Sequence, residues 1–143
     1  MFDLATIMTT DLITISQSAT LDQARGLMTQ HRIRHLPVVN EAGELVGLLT
    51  QTDILAATDS MLRDSQNRIR AAEIPIADVM VTSVATVDQS ADIRQAALFL
   101  EKHRIGCLPV LDDRKLVGIV TDTDFVGIAI NLLEQLEEND SLF

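Results

Sequence analysis

Tryptophan and tyrosine are absent, phenylalanine occurs four times and cysteine once in the 143 residues. With so few aromatic rings the chain lacks the platforms on which single-stranded nucleic acids and glycans stack. The lone thiol, Cys107, excludes an intramolecular disulfide and a cysteine-based zinc cage. Glycine and proline together fill only nine positions, and 47% of residues are hydrophobic against 22% charged, which describes a globular chain rather than a disordered or fibrous one. Positive charge is also scarce, with 11 Lys and Arg against 21 Asp and Glu and a net charge of −10. That balance argues against sequence-independent binding to nucleic acid or to anionic lipid. No apolar run approaches the roughly 18 to 20 residues that cross a bilayer, and Met1–Asp11 has neither a basic stretch nor an apolar leader. The expected compartment is therefore the cytoplasm.

What is present is an internal duplication. Residues 8–53 recur as residues 80–124, with a shift of 72 that becomes 71 after the extra turn residue in Asn40–Gly43. Twenty positions are identical across the copies, among them Met8 and Met80, His31 and His103, Pro37 and Pro109, Gly47 and Gly118, and Asp53 and Asp124. The copies can therefore be weighed against each other.

Each copy reads as strand, helix, strand, strand, helix, an α+β (α/β) pattern. The β-branched stretches Leu12–Ile15 and Val84–Val87 predict the first strands. Thr20–Gln23 and Asp92–Gln95 both fit a capping box at a helix start. Apolar residues then recur at helical spacing, Leu21, Ala24, Leu27 and Met28 in one copy and Ile93, Ala96, Ala97 and Leu100 in the other. The short apolar runs 36–39 and 45–49, repeated at 108–111 and 116–120, predict strands covered on both sides. Closing helices start near Asp53 and Asp124. The repeats divide as 1–56 and 73–143 with a linker helix at 57–72, and the second repeat ends in an acidic tail, Glu134 to Asp140. The stripe Phe125, Ala129, Leu132, Leu133 and Leu136 fits either core or a subunit interface.

Catalytic constellations are missing. Cys107 has no evident base, no Ser sits in a Gly-x-Ser-x-Gly elbow, and no phosphate-binding glycine loop occurs, so no enzymatic activity is expected. His31 and His35 are four apart but leave a helix and enter a strand, without a third metal ligand; His31 and His103 read better as helix-terminal residues near carbonyls.

The sharper pattern is Gly47-Leu48-Leu49-Thr50-Gln51-Thr52-Asp53, answered by Gly118-Ile119-Val120-Thr121-Asp122-Thr123-Asp124. Each lies where a strand gives way to a helix. Glycine lets a backbone or a ligand approach closely, a helix start offers amides to an anion, and hydroxyls add donors. The carboxylate accepts hydrogen bonds only and so suits a diol such as ribose. The same residues are ordinary N-caps, but capping needs only one of Thr50, Thr52 and Asp53, and all three return in the second copy.

The openings Ile7–Thr10 and Val79–Thr82, the centres Ile33–Val39 and Ile105–Leu111, and the two Gly-to-Asp motifs resemble a tandem pair of cystathionine β-synthase (CBS) domains, a Bateman module, over nearly the whole chain. The resemblance implies two β-α-β-β-α repeats related by a pseudo-twofold axis, with two clefts between packed sheets. It implies a regulatory ligand of the adenosine class, AMP, ADP, ATP or S-adenosylmethionine, with no cofactor required. It implies a homodimer that signals occupancy to a regulated protein. The ribose and phosphate roles carry over to Asp53 with Thr50 and Thr52, and to Asp124 with Thr121 and Thr123. Adenine is then expected near Thr10, Thr14, His35 and Pro37 in one cleft, and near Thr82, Thr86, Cys107 and Pro109 in the other. An interaction module with vestigial clefts is the alternative.

The copies differ in charge. Residues 1–72 hold eight acids and six bases, residues 73–143 thirteen acids and five bases. Arg32, Arg34 and His35 stand near the first motif; Gly106 and Cys107 replace the last two in the second copy, where Asp122 adds a carboxylate. A phosphate is therefore expected to favour the first motif.

Overall fold

The computed structural model describes residues 3–62 and 73–141; the part of the expected linker helix at 63–72 lies outside them. In chain order the elements are α1 (Leu4–Ile7), β1 (Ile15–Ser16), α2 (Leu21–His31), β2 (His35–Val39), β3 (Leu45–Thr50), α3 (Gln51–Leu62), a 3-10 turn (Ile76–Asp78), β4 (Val87–Asp88), α4 (Ile93–His103), β5 (Cys107–Asp112), β6 (Lys115–Thr121) and α5 (Asp122–Ser141). Two three-stranded sheets, β1-β2-β3 and β4-β5-β6, join these helices in an α+β architecture that repeats itself. In each sheet the first strand runs parallel to the second.

Two compact units result: one is Asp11–Ala85 with Asp113–Leu116, the other Met1–Thr10, Thr86–Asp112 and Val117–Phe143. They are offset from the sequence repeats. The opening of the first repeat belongs to the unit built on the second, and the opening of the second belongs to the unit built on the first.

In the first unit α2 begins where expected. Thr20 Oγ1 accepts from the Gln23 amide at 3.3 Å and Gln23 Oε1 from the Thr20 amide at 3.0 Å, a closed capping box. Leu21, Ala24 and Met28, on the buried face of α2, meet Leu36 and Val38 of β2, Leu49 of β3 and Ile54 of α3. Ile76 completes that core, held by the Leu21 amide donating to the Ile74 carbonyl and the Ile76 amide to the Ala19 carbonyl, both at 2.9 Å. Each such buried aliphatic side chain contributes roughly 1.5–3 kcal/mol. The β2–β3 turn is shaped by Asn40, whose Oδ1 accepts from the amides of Ala42 and Glu44, and by Gly43 at φ +79°.

The second unit repeats this plan around Ala96, Leu100, Cys107, Leu108, Val110, Ile119 and Val120, with Leu4 buried in the role of Ile76. Its helix start differs from expectation. The Asp92 carboxylate accepts from Arg94, one residue nearer than Gln95, and no reciprocal box forms. Both α2 and α4 end on an arginine in the left-handed region, Arg32 and Arg104, at φ 54° and 52°.

Two further expectations are corrected. Of the predicted first strands Leu12–Ile15 and Val84–Val87, only Ile15 and Val87 join a sheet; the observed strands Ile15–Ser16 and Val87–Asp88 run one residue further and pair with Val38–Val39 and Val110–Leu111. The stripe on α5 is not core among the described residues: past the half-buried Phe125, Leu132, Leu133 and Leu136 all stand exposed. The acidic tail is the last part of this helix rather than an extension beyond it.

Candidate functional site

The short first strands shape the candidate site. Since β1 pairs only with Val38 and Val39, its ladder stops short of Leu36 and Pro37 among the described residues, and Pro37 sits at a part of β2 where a proline is tolerated. Cys107–Pro109 of β5 is left in the same way by β4. Thr14 and Thr86, both half-buried, lie on the stretches that leave the sheet at these points.

At the first corner β3 runs out at Thr50 and α3 begins at Gln51. Thr50 pairs with His35 across the antiparallel ladder, and the Gln51 amide donates to the Arg34 carbonyl at 2.9 Å. The unit thus brings Thr50, Thr52 and Asp53 together with Arg34, His35 and Pro37 at the β2 and β3 ends of one sheet. Thr50 and Asp53 cap the helix reciprocally: Asp53 Oδ2 accepts from the Thr50 amide at 3.3 Å, and Thr50 Oγ1 accepts from the Asp53 amide at 3.1 Å. The second corner repeats the pair, with Asp124 Oδ2 accepting from the Thr121 amide at 2.9 Å and Thr121 Oγ1 from the Asp124 amide at 3.4 Å. Two members of each motif are therefore used for capping, where one would have sufficed. In each carboxylate the other oxygen, Oδ1, accepts no hydrogen bond among the described residues, and the exposed Thr52 and Thr123 side chains lie one residue away.

Of the two close approaches expected at the glycines, by backbone or by ligand, the structure shows the one made by the chain itself. A Cβ on Gly47 would lie 2.5 Å from Met80 Sδ and 3.1 Å from the Val81 carbonyl oxygen; a Cβ on Gly118 would strike Met8. Backbone pairing fixes both approaches, Leu48 with Val81 and Thr9 with Ile119, each through two hydrogen bonds of 2.9–3.0 Å. The close approach is made by the protein's own opening segments. Sequence spacing could not reveal this long-range contact, although the matched Met8 and Met80 were its one signal. The same crossing places Thr82 in the unit of the first motif and Thr10 in that of the second, both exposed.

Electrostatically the corners diverge. Arg34 is exposed beside Gln51 at the first. At the second the Asp122 amide donates to the Gly106 carbonyl at 3.1 Å, while its carboxylate accepts from Thr123 at 2.8 Å. Cys107 is buried there, and desolvation, reinforced by the nearby Asp122 and Asp124 charges, pushes its thiol up to about 12. It is neutral and unreactive at ordinary pH. A hollow of about 510 Å³ opens beside this corner between α4 and α5, lined by Leu100, Arg104, Ile105, Gly106, Asp122 and Phe125 among others. No group of three or more His, Cys, Asp or Glu among the described residues is arranged to hold a metal ion, and no described helix is long and apolar enough to cross a membrane.

Two half-open sheets, each ending in a Gly-to-Asp corner, define a tandem CBS pair: the CBS domain model matches residues 4–60 and 76–131, and the chain belongs to that family. Such a pair is a regulatory module rather than a catalytic one. Among solved structures the chain is similar to a candidate acetoin utilization protein (AcuB) from Vibrio cholerae, at 42% identity and TM-score 0.83, covering 96% of this chain and 97% of that one. It is also similar to the CBS pair of protein MJ0100 in complex with 5′-methylthioadenosine and S-adenosyl-L-methionine, at 29% identity and TM-score 0.77, covering 91% and 97%. CBSX2 in complex with AMP is 27% identical, with a TM-score of 0.79 over 92% and 98% of the two chains.

Proposed function

We propose that this protein is a sensor of adenosine compounds that passes its state of occupancy to a partner protein, with Asp53 and Asp124 accepting from the ribose hydroxyls. The observation that carries the reading is the spare carboxylate oxygen at each corner, beside a strand end left open by its short neighbour. The adenosine ligands of the MJ0100 and CBSX2 structures support it. Arg34, His35 and Thr52 make the first corner the one for a phosphate-bearing nucleotide such as AMP, ADP or ATP. Asp122 turns the second toward a ligand with less negative charge, since like charges in a partly dry cleft repel. Adenine would lie against Thr14 and Pro37, or Thr86 and Pro109, with Thr82 and Thr10 at the respective margins. Occupancy transmits only through unequal affinity for two states. A cytoplasmic homodimer is part of the same proposal, supported by the exposed Leu98 of α4 and Val126 of α5.

The test is a thermal-melt and calorimetry panel of AMP, ADP, ATP and S-adenosylmethionine. At about 100 times the dissociation constant, binding should stabilise the fold by roughly 2.7 kcal/mol. Asp53→Asn should abolish the AMP response while leaving the unliganded melting point unchanged, because Asn still accepts from the Thr50 amide. Two equal, independent AMP sites would refute the asymmetry. A second reading, an interaction module with vestigial clefts, is favoured by one observation: glycine, threonine and aspartate in both motifs already serve packing and capping. A flat response to the whole panel would establish it.

A further inference from the structure

Helix α5 carries charge of one sign only. Its 20 residues contain Asp122, Asp124, Glu134, Glu137, Glu138 and Asp140 and no Lys, Arg or His. Four of these acids, Glu134, Glu137, Glu138 and Asp140, crowd its last eight residues, toward the end where the helix dipole presents negative charge and where cations are the favourable choice. The same stretch exposes a large apolar surface, with Leu132, Leu133 and Leu136 at 50%, 59% and 60%. At helical spacing Glu137 follows Leu133 and Asp140 follows Leu136 on the same stripe, so apolar and acidic groups share one face. A helix that violates both the burial rule and the dipole rule over the same two turns is marked for a partner that corrects both.

We infer that the Leu132–Asp140 face of α5 is the docking surface for a basic amphipathic helix of another protein. Charge selects this occupant over a second copy of the chain. A parallel α5–α5 pair would set Glu134, Glu137 and Asp140 against their own images, and an antiparallel pair centred on Leu136 would set Glu134 against Glu138. A helix with leucine-like residues at i, i+3, i+4 and i+7 and lysine or arginine along its edges would bury the three leucines and place cations near the carboxylates and the negative end of the dipole. The inference rests on the sensor reading only in that such a partner would be the protein regulated; docking itself needs no nucleotide.

The experiment uses the full chain without nucleotide and a labelled synthetic peptide of about 18 residues, built from leucine and lysine in that amphipathic pattern. A peptide of the same composition in scrambled order is the control, and fluorescence anisotropy the readout. The patterned peptide should bind at least about tenfold more tightly than the scrambled one, and binding should weaken as salt rises from roughly 0.05 to 0.3 M. Leu133→Ala/Leu136→Ala, which keeps a strong helix former at both positions, and Glu134→Gln/Glu137→Gln should each weaken binding about tenfold or more. Equal binding of the scrambled peptide, or unchanged affinity in the leucine variant, would reduce the effect to bulk charge and overturn the proposal. A fall in oligomeric state of the leucine variant by analytical ultracentrifugation would also overturn it, assigning the face to a second copy. The nucleotide panel is run on separate samples, so a failure of either reading leaves the other measurable.

Discussion

A methyl group added at Gly118 tests whether the motif glycine serves the protein's own packing or the entry of a ligand. The new Cβ would meet three atoms of one side chain, Met8 Sδ, Cγ at 2.9 Å and Cε at 3.2 Å, where ordinary carbon contacts lie near 3.5–4.0 Å. Overpacking of this kind costs about 1–3 kcal/mol, against which the entropic advantage of alanine over glycine in a strand returns roughly 0.5–1. Gly118→Ala should therefore lower Tm by several degrees, at roughly 3–4 °C per kcal/mol for a chain of this size. Because the three nearest atoms all belong to Met8, the double variant Gly118→Ala/Met8→Ala should recover most of the loss caused by the added methyl, with a coupling of at least about 1 kcal/mol in a urea-denaturation cycle. At Gly47 the corresponding rescue by Met80→Ala should be partial, since the Val81 carbonyl oxygen stays 3.1 Å from the added carbon. Additive losses at Gly118 would refute the assignment and return the glycine to the ligand.

Thr121→Ala removes the hydroxyl that caps α5 and should cost about 1 kcal/mol in chemical denaturation, as should Thr50→Ala for α3. Cys107 should resist iodoacetamide in the native protein at pH 8 and react once urea unfolds it. The raised thiol pKa also fixes a sign. The folded state favours the neutral form, so its contribution is complete below pH 9 and is lost as pH climbs from 9 toward 12, which pH-dependent melts of wild type and Cys107→Ala would separate. Leu36→Ala, at a fully buried position in β2, should cost about 2–5 kcal/mol.

The parts legible in the sequence are those set by local periodicity. The spacing of Leu21, Ala24 and Met28 marks the buried face of α2, and the Thr20–Gln23 box marks its start. The strand-to-helix corners are equally readable, because Thr50 and Asp53 act within four residues of each other. Leu12–Thr14 misled because β-branched content signals compatibility with a sheet, whereas membership needs a partner, and β2 offers one only from Val38 onward. The leucines of α5 misled for a related reason: helical spacing reports a shared face without saying what covers it. The seat of Met8 on Gly118 and of Met80 on Gly47 joins distant segments by shape, and no local pattern encodes it. The candidate site inherits this division, with its carboxylates and hydroxyls readable and its walls not.

The crossed openings set where this molecule can be cut. Genetically the chain divides near residue 72, but a fragment ending there would keep Leu4 and Met8, which serve the other half, and discard Ile76 and Met80, which close its own. Excision at the boundaries of inheritance thus yields two pieces each carrying the wrong plug. The unit that keeps its own plug instead spans 11–85 together with 113–116, out of phase with the repeat that produced it. Joining the two copies in one chain gives each, at high effective concentration, the segment it would otherwise have to capture from a separate molecule.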